Sequence, residues 1–447
     1  MKYFLPDSQD LVDPSFDFET EARSRTRIRQ RDDVYAHELF PDRAIDGILV
    51  SKGIVEGYGN NGSRYTMAQR HRLLRVGAKE FFRTDGAPGA QLPIMGDCGA
   101  FTYVQEELPP YSVDDVVAFY VDCQFDYGIS LDHVILEFQP SWDAAGGLDT
   151  ESQVARKRAR ARQKVTLELA SDFLKRVRRD RLPFEPLGVA QGWSPKSYAS
   201  AVTQLQKMGY DYIAVGGMVP LKTHEIEAAL AAINAVRAPK TRLHLLGVTR
   251  TEKLPSFAAF GVASFDSTSP LRQAFKDERD NYYTMDRTYA AIRIPQVQGN
   301  PKLERSIRAG KTSQGHARSL EKASLDVMAR FDRGDASLDE TVETLCAYDE
   351  LFAGLEGKGT RARRDHSVVY REVLEARPWK HCVCAVCKAL GHHVILFRGA
   401  ERNRRRGLHN VWVFYRRVQQ QLQQMTTDTE LARAKNRRAS AKSREAV

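Results

Sequence analysis

The densest chemistry in the sequence lies in Cys382-Val383-Cys384-Ala385-Val386-Cys387, followed after 21 intervening residues by His409. Three thiolates and an imidazole supply four soft N/S donors, the complement of a closed tetrahedral zinc site. Three of the six cysteines of the chain fall within these six positions, a clustering that a functional spacing explains. Buried or redox-active thiols are the alternative. No βαβ redox context surrounds them, and Lys380, Lys388 and Arg398 favour thiolates, hence a metal. His392 and His393 compete with His409 for the fourth position. Four protein ligands leave no open coordination position, so the expected zinc is structural and catalysis must come from elsewhere.

The second set of reactive residues is dispersed. It comprises Gly96-Asp97-Cys98-Gly99-Ala100-Phe101, Glu137, Ala190-Gln191-Gly192, Gly216-Gly217-Met218, Leu246-Gly247-Val248 and Phe265-Asp266-Ser267. Taken singly, Asp97 or Asp266 reads equally well as a helix N-cap, and the glycines as ordinary turns. Taken together, three carboxylates, a carboxamide and a Gly-Gly turn suit a flat, polar ligand. The turn lets backbone N–H groups approach closely. Gln and carboxylates match the edge of a nucleobase, and Phe101 can stack on its face.

Each of these segments ends an apolar, strand-like run. The runs are Lys2–Leu5, Gly47–Val50, Leu92–Met95, His133–Phe138, Leu187–Ala190, Tyr212–Val215, Arg242–Gly247 and Ala263–Phe265. Amphipathic stretches such as Ser112–Tyr127, Glu151–Arg179, Ser194–Met208 and Lys222–Val236 separate them, with Ser112 a natural N-cap. Eight strands alternating with helices predict a (β/α)8 TIM barrel in residues 1–294, with an open doubly wound sheet as the alternative. In such a barrel the C-terminal strand ends form one mouth, which gathers the dispersed set. The alternation then stops. Residues 295–378 read as a charged helical insertion, 379–424 as the zinc-binding segment and a closing helix, and 425–447 as a basic flexible tail.

These motifs, in this order, resemble those of the tRNA-guanine transglycosylase superfamily over roughly the whole chain. Asp97-Cys98-Gly99-Ala100-Phe101 is similar to its D-S-G-G-F/Y motif, and Ala190-Gln191-Gly192 to its V-Q-G. Gly216-Gly217-Met218 is similar to G-G-L, Leu246-Gly247-Val248 to M-G-V, and Phe265-Asp266-Ser267 to F-D-C; the C-x-C-x-x-C…H site closes the match. The resemblance implies a ping-pong base exchange with Asp266 as nucleophile at C1′ and Asp97 as general acid/base. Gln191, Gly216, Gly217 and Met218 would read the base, with Glu137 in place of the usual Asp, and Phe101 and Leu246 would sandwich it.

Ser269-Pro270-Leu271-Arg272-Gln273-Ala274 departs from the family's P-T-R-N-A-R, a stretch that in the tRNA enzymes helps hold the anticodon loop. With the helical insertion and the Arg-rich segment before His409, this departure makes the chain look like the DNA-modifying branch. That branch puts 7-cyano-7-deazaguanine (preQ0) into DNA in place of guanine and works with an accessory protein. A tRNA enzyme making a queuosine- or archaeosine-type change is the runner-up. A catalytically silent nucleic-acid-binding barrel is the reading from another class; the presence of both Asp97 and Asp266 opposes it.

The bulk properties agree with a polyanionic partner. The 447 residues carry a net charge of +10 and a pI near 9.2. Two basic segments stand out. Arg156–Arg162 lies on a predicted helix and reads as a solvated face, whereas Arg404, Arg405 and Arg406 sit between zinc ligands and are expected to contact phosphate. Scattered remaining cysteines, no signal peptide and no long apolar run point to a cytoplasmic protein.

Overall fold

The computed structural model describes residues 1–59, 62–85, 91–143, 149–248, 250–276, 280–352 and 365–445. Its chain divides into two compact units, one formed by residues 1–9, 45–268 and 417–447 and the other by 10–44 and 269–416.

The first unit holds a closed barrel of eight parallel strands in sequence order. The strands are β1 (Lys2–Pro6), β2 (Gly47–Ser51), β3 (Ile94–Asp97), β4 (Tyr127–Ile129), β5 (Glu185–Ala190), β6 (Tyr212–Val215), β7 (Arg242–Leu245) and β8 (Val262–Asp266). β8 pairs back onto β1 through Tyr3↔Phe265, which closes the ring. The barrel form of the expected α/β fold is therefore the one adopted. Parallel strands covered on both faces need near-continuous apolar runs, and β2 and β6 are buried along their whole length. Inside, Phe4, Leu49, Met95, Ile129, Leu187, Val189, Tyr212 and Ala214 form one packed cluster. Helices return the chain between strands, and the cap expected at Ser112 forms, with a second of the same kind at Ser194. Ser112 Oγ accepts from Asp115 N at 3.1 Å at the start of Val113–Asp122, and Ser194 does the same for Ser197 N at 3.0 Å.

One strand lies elsewhere than the apolar pattern predicts. The fourth is Tyr127–Ile129, not His133–Phe138. The preceding helix stops at Asp122, and Gln124 turns the chain with a φ of 57°. Gly128 is required in this strand, because a Cβ there would lie 2.7 Å from the rings of Phe184 and Tyr120. Residues 130–135 then run on, buried but outside the ladder. Periodicity registers burial, and this segment is buried without being paired.

The second unit is mainly helical, with Pro301–Arg308, Gln314–Arg333, Leu338–Glu350 and His366–Ala376 in the region expected to be a helical insertion. It also holds an antiparallel pair, Tyr282–Tyr283 with Thr288–Tyr289, and a parallel pair, Ile292–Arg293 with Leu396–Phe397. Residues 10–44 belong to this unit, an assignment that the order of the chain does not suggest. The last helix, Gly399–Glu445, keeps helical backbone well beyond residue 424, where a flexible tail was expected. Its Ala, Gln, Arg, Lys and Glu content favours helix. Among the described residues no helix is long and apolar enough to cross a membrane.

Candidate active site and metal centre

Asp97, Gln191 and Asp266 end or immediately follow β3, β5 and β8, so the barrel brings them to one rim, as the sequence predicts. The other carboxylate at this rim is Asp132. It is 2% exposed, accepts a 2.7 Å hydrogen bond from Gln191 Nε2 and receives the Cys98 thiol at 3.2 Å. Tyr103 OH braces the same corner, its single proton lying within reach of both Cys98 Sγ and the Asp132 carbonyl, each 3.1 Å away.

Glu137, expected in this role, is instead ion-paired with Arg158 at 2.6 Å, which draws its carboxyl below the usual range against partial burial. The misplaced fourth strand caused this error, since Asp132 follows the real strand end by three residues. The signal that could have found it was Ser130-Leu131-Asp132, a polar pair inside an apolar run.

Gln191 is held from both ends. Its Oε1 accepts from Ile135 N at 3.2 Å while its Nε2 donates to Asp132. Gly216 and Gly217 leave room for it: a Cβ on Gly216 would lie 2.3 Å from Gln191 Nε2, and one on Gly217 2.4 Å from the Ile135 carbonyl. Gly217 also has a φ of 72°, accessible to glycine at little cost. Met218 is fully buried, Leu246 is partly buried against the barrel core, and Phe101 is 50% exposed on the turn after β3. Phe101 thus keeps the open ring face that stacking requires.

The electrostatics separate the carboxylates. Burial raises Asp97 to about 7, with the charges of Asp132 and Asp266 adding to the rise; the Gly99 N–H, 3.0 Å from its Oδ2, and Ser51 oppose it. Burial also raises Asp132, to about 6, against the hydrogen bonds from Cys98 and Gln191. Asp97 is therefore protonated below neutral pH and able to give a proton.

A pH dependence follows. With Asp97 as the expected proton donor, the rate of the step that it serves, measured in a single turnover, is expected to fall by about tenfold per unit once pH exceeds Asp97's value of about 7. Rapid-quench measurement across that range checks this; a flat profile would remove Asp97 as the donor.

Asp266 is 7% exposed, and both of its mapped contacts are on one oxygen. Oδ1 takes the Gly247 N–H at 2.9 Å and lies 3.2 Å from His244 Nε2. His244 was not anticipated, because its position inside the barrel depends on strand register.

In the second unit the metal ligands converge. Cys382 Sγ, Cys384 Sγ and Cys387 Sγ lie 3.6, 3.3 and 3.3 Å from His409 Nδ1, and all four ligand atoms are within 4.8 Å of one another. A tetrahedral Zn–S/N centre sets its donors about 3.5 Å apart, so the four residues fit such an ion. His409 Nε2 lies 2.8 Å from the Tyr283 carbonyl, which leaves Nδ1 as the ligand nitrogen. Tyr282 stacks on the imidazole with ring centroids 4.2 Å apart. His392 and His393 are not in this cluster; they pair with Asp332 at 3.8 Å and Glu19 at 3.0 Å.

The Arg-rich segment is a correction of a different kind. Arg406 is completely buried, its guanidinium donating to the carbonyls of Val394, Leu396 and Ala274 and to Asn403 Oδ1. Arg405, 6% exposed, donates to the Asp13 carbonyl at 2.6 Å, and Arg404 pairs with Glu401 at 3.0 Å. Burial lowers Arg406 to about 9. Nearby, Arg398 and Arg402 converge on Glu21; burial alone would raise that carboxyl, but the guanidinium groups hold it at about 2. Arg405 and Arg406 are thus internal braces of this unit, not phosphate contacts, because both guanidinium groups are buried and bonded to internal carbonyls.

Comparison with known proteins bears on this arrangement. A family profile described as Queuine tRNA-ribosyltransferase matches residues 65–305. The chain is 46% identical over 429 residues to a protein named DNA-guanine transglycosylase from Salmonella montevideo, covering 96% of this chain and 99% of that one. It is 30% identical over 173 residues to a Queuine tRNA-ribosyltransferase of Xanthomonas euvesicatoria, covering 38% of this chain and 43% of the relative. A similar enzyme of Xanthomonas oryzae matches at 29% over 177 residues, again 38% of this chain and 43% of the relative.

Proposed function

The chain belongs to the tRNA-guanine transglycosylase superfamily and is a guanine transglycosylase; from that premise we propose that it exchanges guanine in DNA for 7-cyano-7-deazaguanine through an aspartyl-glycosyl intermediate. The observation that carries DNA over tRNA is the extent of similarity. The DNA-guanine transglycosylase relative matches almost end to end, whereas the tRNA enzymes match only over 38% of the chain.

In the proposed sequence the free Asp266 oxygen attacks C1′, the C1′–N9 bond breaks, and its electron pair leaves with guanine. Protonated Asp97 supplies the proton that the departing purine takes up. Asp97, now a carboxylate, removes a proton from the incoming base. That base attacks C1′ and Asp266 departs as a carboxylate. Two carboxylates with separate roles, one of them raised to about 7, match this division of labour, as in retaining glycosidases.

Asp132 and Gln191 read the base edge: their mutual hydrogen bond fixes which atoms accept and which donate. Gly217 and Met218 offer backbone, and Phe101 and Leu246 enclose the ring. Glu137 leaves the list, and so do Arg405 and Arg406. Exposed cations on the helix Thr150–Asp180, such as Lys157 and Arg160, take over the role of phosphate contact. Zinc at Cys382, Cys384, Cys387 and His409 is proposed as purely structural. Extruding a base from a duplex costs a few kcal/mol, which an accessory protein would help to offset.

The test is incorporation of labelled 7-cyano-7-deazaguanine into plasmid DNA and, in parallel, bulk tRNA, with and without candidate accessory proteins. Label in DNA alone is expected. Label in tRNA alone would overturn the substrate, and label in neither would favour a silent binding subunit.

A further inference from the structure

Behind Asp266 lies a line of buried polar groups to which no role has yet been given. Tyr212 OH contacts Ser264 Oγ, Ser264 Oγ lies 2.6 Å from His244 Nδ1, and His244 Nε2 lies 3.2 Å from Asp266 Oδ1. Tyr212 is 4% exposed, and Ser264 and His244 are fully buried. A run of polar groups through an apolar barrel carries a desolvation cost that packing alone does not require.

The strand register places them. Leu243 pairs with Val262, but the next residue, His244, pairs with Ser264, so β8 holds one extra residue at this point. The irregularity sets His244 beside Ser264 and brings Asp266, two residues further along β8, within reach of both His244 and Gly247 N. Such bulges commonly re-aim a side chain next to an active site.

Counting donors assigns the protons. A carboxylate oxygen only accepts, so His244 must present Nε2–H to Asp266. In the neutral ring Nδ1 then accepts, and Ser264 donates to it. Ser264 has one proton, now committed, so its contact with Tyr212 is one in which Tyr212 donates. Burial raises Tyr212 to about 12, which keeps that phenol protonated. The whole line is directional and ends on one oxygen of Asp266.

We propose that His244, fixed by Ser264 and Tyr212, is a positioning residue that holds Asp266 through Oδ1 and directs Oδ2 at the sugar. With Gly247 N–H also on Oδ1, the carboxylate is fixed in orientation, and Oδ2 is the oxygen presented to C1′. When the ester forms, the negative charge leaves the carboxylate and Oδ1 becomes the ester carbonyl. When the incoming base attacks, the charge returns to it, and both donors favour that departure. The device therefore helps most in the second half of the exchange. It rests on the reading of Asp266 as nucleophile.

The test compares His244→Gln with His244→Met in the full chain, using guanine-containing DNA and labelled guanine. The two side chains have equal length, but only Gln keeps an N–H near the place of Nε2. His244→Met is expected to lower kcat about 100-fold, the usual loss when one preorganised donor is removed, with KM for guanine within about threefold. Its covalent adduct should form a larger share of enzyme at steady state than in wild type. His244→Gln should recover at least about tenfold of the lost kcat. If His244→Met does not fold, Ser264→Ala replaces it, with kcat expected to fall because Nδ1 loses its donor. A kcat for His244→Met within about threefold of wild type, or no advantage of Gln over Met, would overturn the proposal. Asp266→Ala run alongside keeps the two readings apart: an adduct that persists in that variant refutes the nucleophile itself, whatever His244 does.

Discussion

Asp266→Ala is expected to abolish base exchange, by at least about 10⁴-fold in kcat, and to eliminate any covalent protein–DNA adduct. The magnitude follows from what the site loses. Asp266 is buried at the end of β8, with His244 and the Gly247 amide on its Oδ1, and the other carboxylates of the rim are engaged elsewhere. Asp132 is tied to Gln191 and Cys98, and Asp97 is turned toward the Gly99 amide and raised to about 7.

Base binding should survive in the same variant, because the Asp132–Gln191 pair and the Gly216–Gly217 turn do not depend on the nucleophile. Calorimetric titration with 7-cyano-7-deazaguanine should therefore give an affinity within about threefold of wild type while exchange is lost. Loss of both together would show that Asp266 acts in binding. Retained exchange would remove the covalent mechanism.

The second large effect concerns the metal. Stripping it with a chelator, or replacing Cys384 by Ala, is expected to unfold or loosen the second unit. Structural zinc contributes on the order of 10 kcal/mol where the ligands have no other reason to converge. That condition holds in part here. Cys384 Sγ also accepts from Cys387 N at 3.3 Å at the start of the short helix Ala385–Leu390, and Tyr282 OH reaches Cys387 Sγ at 3.2 Å. These contacts orient the thiols but leave three of them crowded around one imidazole nitrogen.

His409 itself is anchored independently of the ion. Its neighbour Asn410 donates to the Pro270 and Asn281 carbonyls and accepts from Tyr283 N, so the helix would stay docked while the cysteine segment comes loose. Metal content by mass spectrometry, thermal unfolding and limited proteolysis of the 379–398 region read out the change. Cys384→Ala should lose metal and melt early, whereas His392→Ala should keep its metal, since His392 pairs with Asp332 outside the ligand set. Unchanged metal in Cys384→Ala would reject the site.

The amino-acid sequence by itself determined the alternation of eight strands with helices, the three cysteine ligands and the strand-end residues Asp97, Gln191 and Asp266, while the structure chose His409 over His392 and His393. Each rests on a local pattern. Metal ligands need fixed spacings, parallel strands need unbroken apolar runs, and the rim residues follow those runs directly.

Tertiary structure decided the rest. Asp132 rather than Glu137 faces Gln191, because a buried segment beyond β4 carries the strand-like pattern without being in the ladder. Arg405 and Arg406 are internal although their segment reads as a phosphate contact, because distant carbonyls, that of Asp13 among them, meet their donors only after the chain has folded back. His244 reaches Asp266 because one extra residue in β8 shifts the pairing. Local spacing records what a residue can do. Register and long-range hydrogen bonding decide which partner it meets, and both depend on chain segments far apart in sequence.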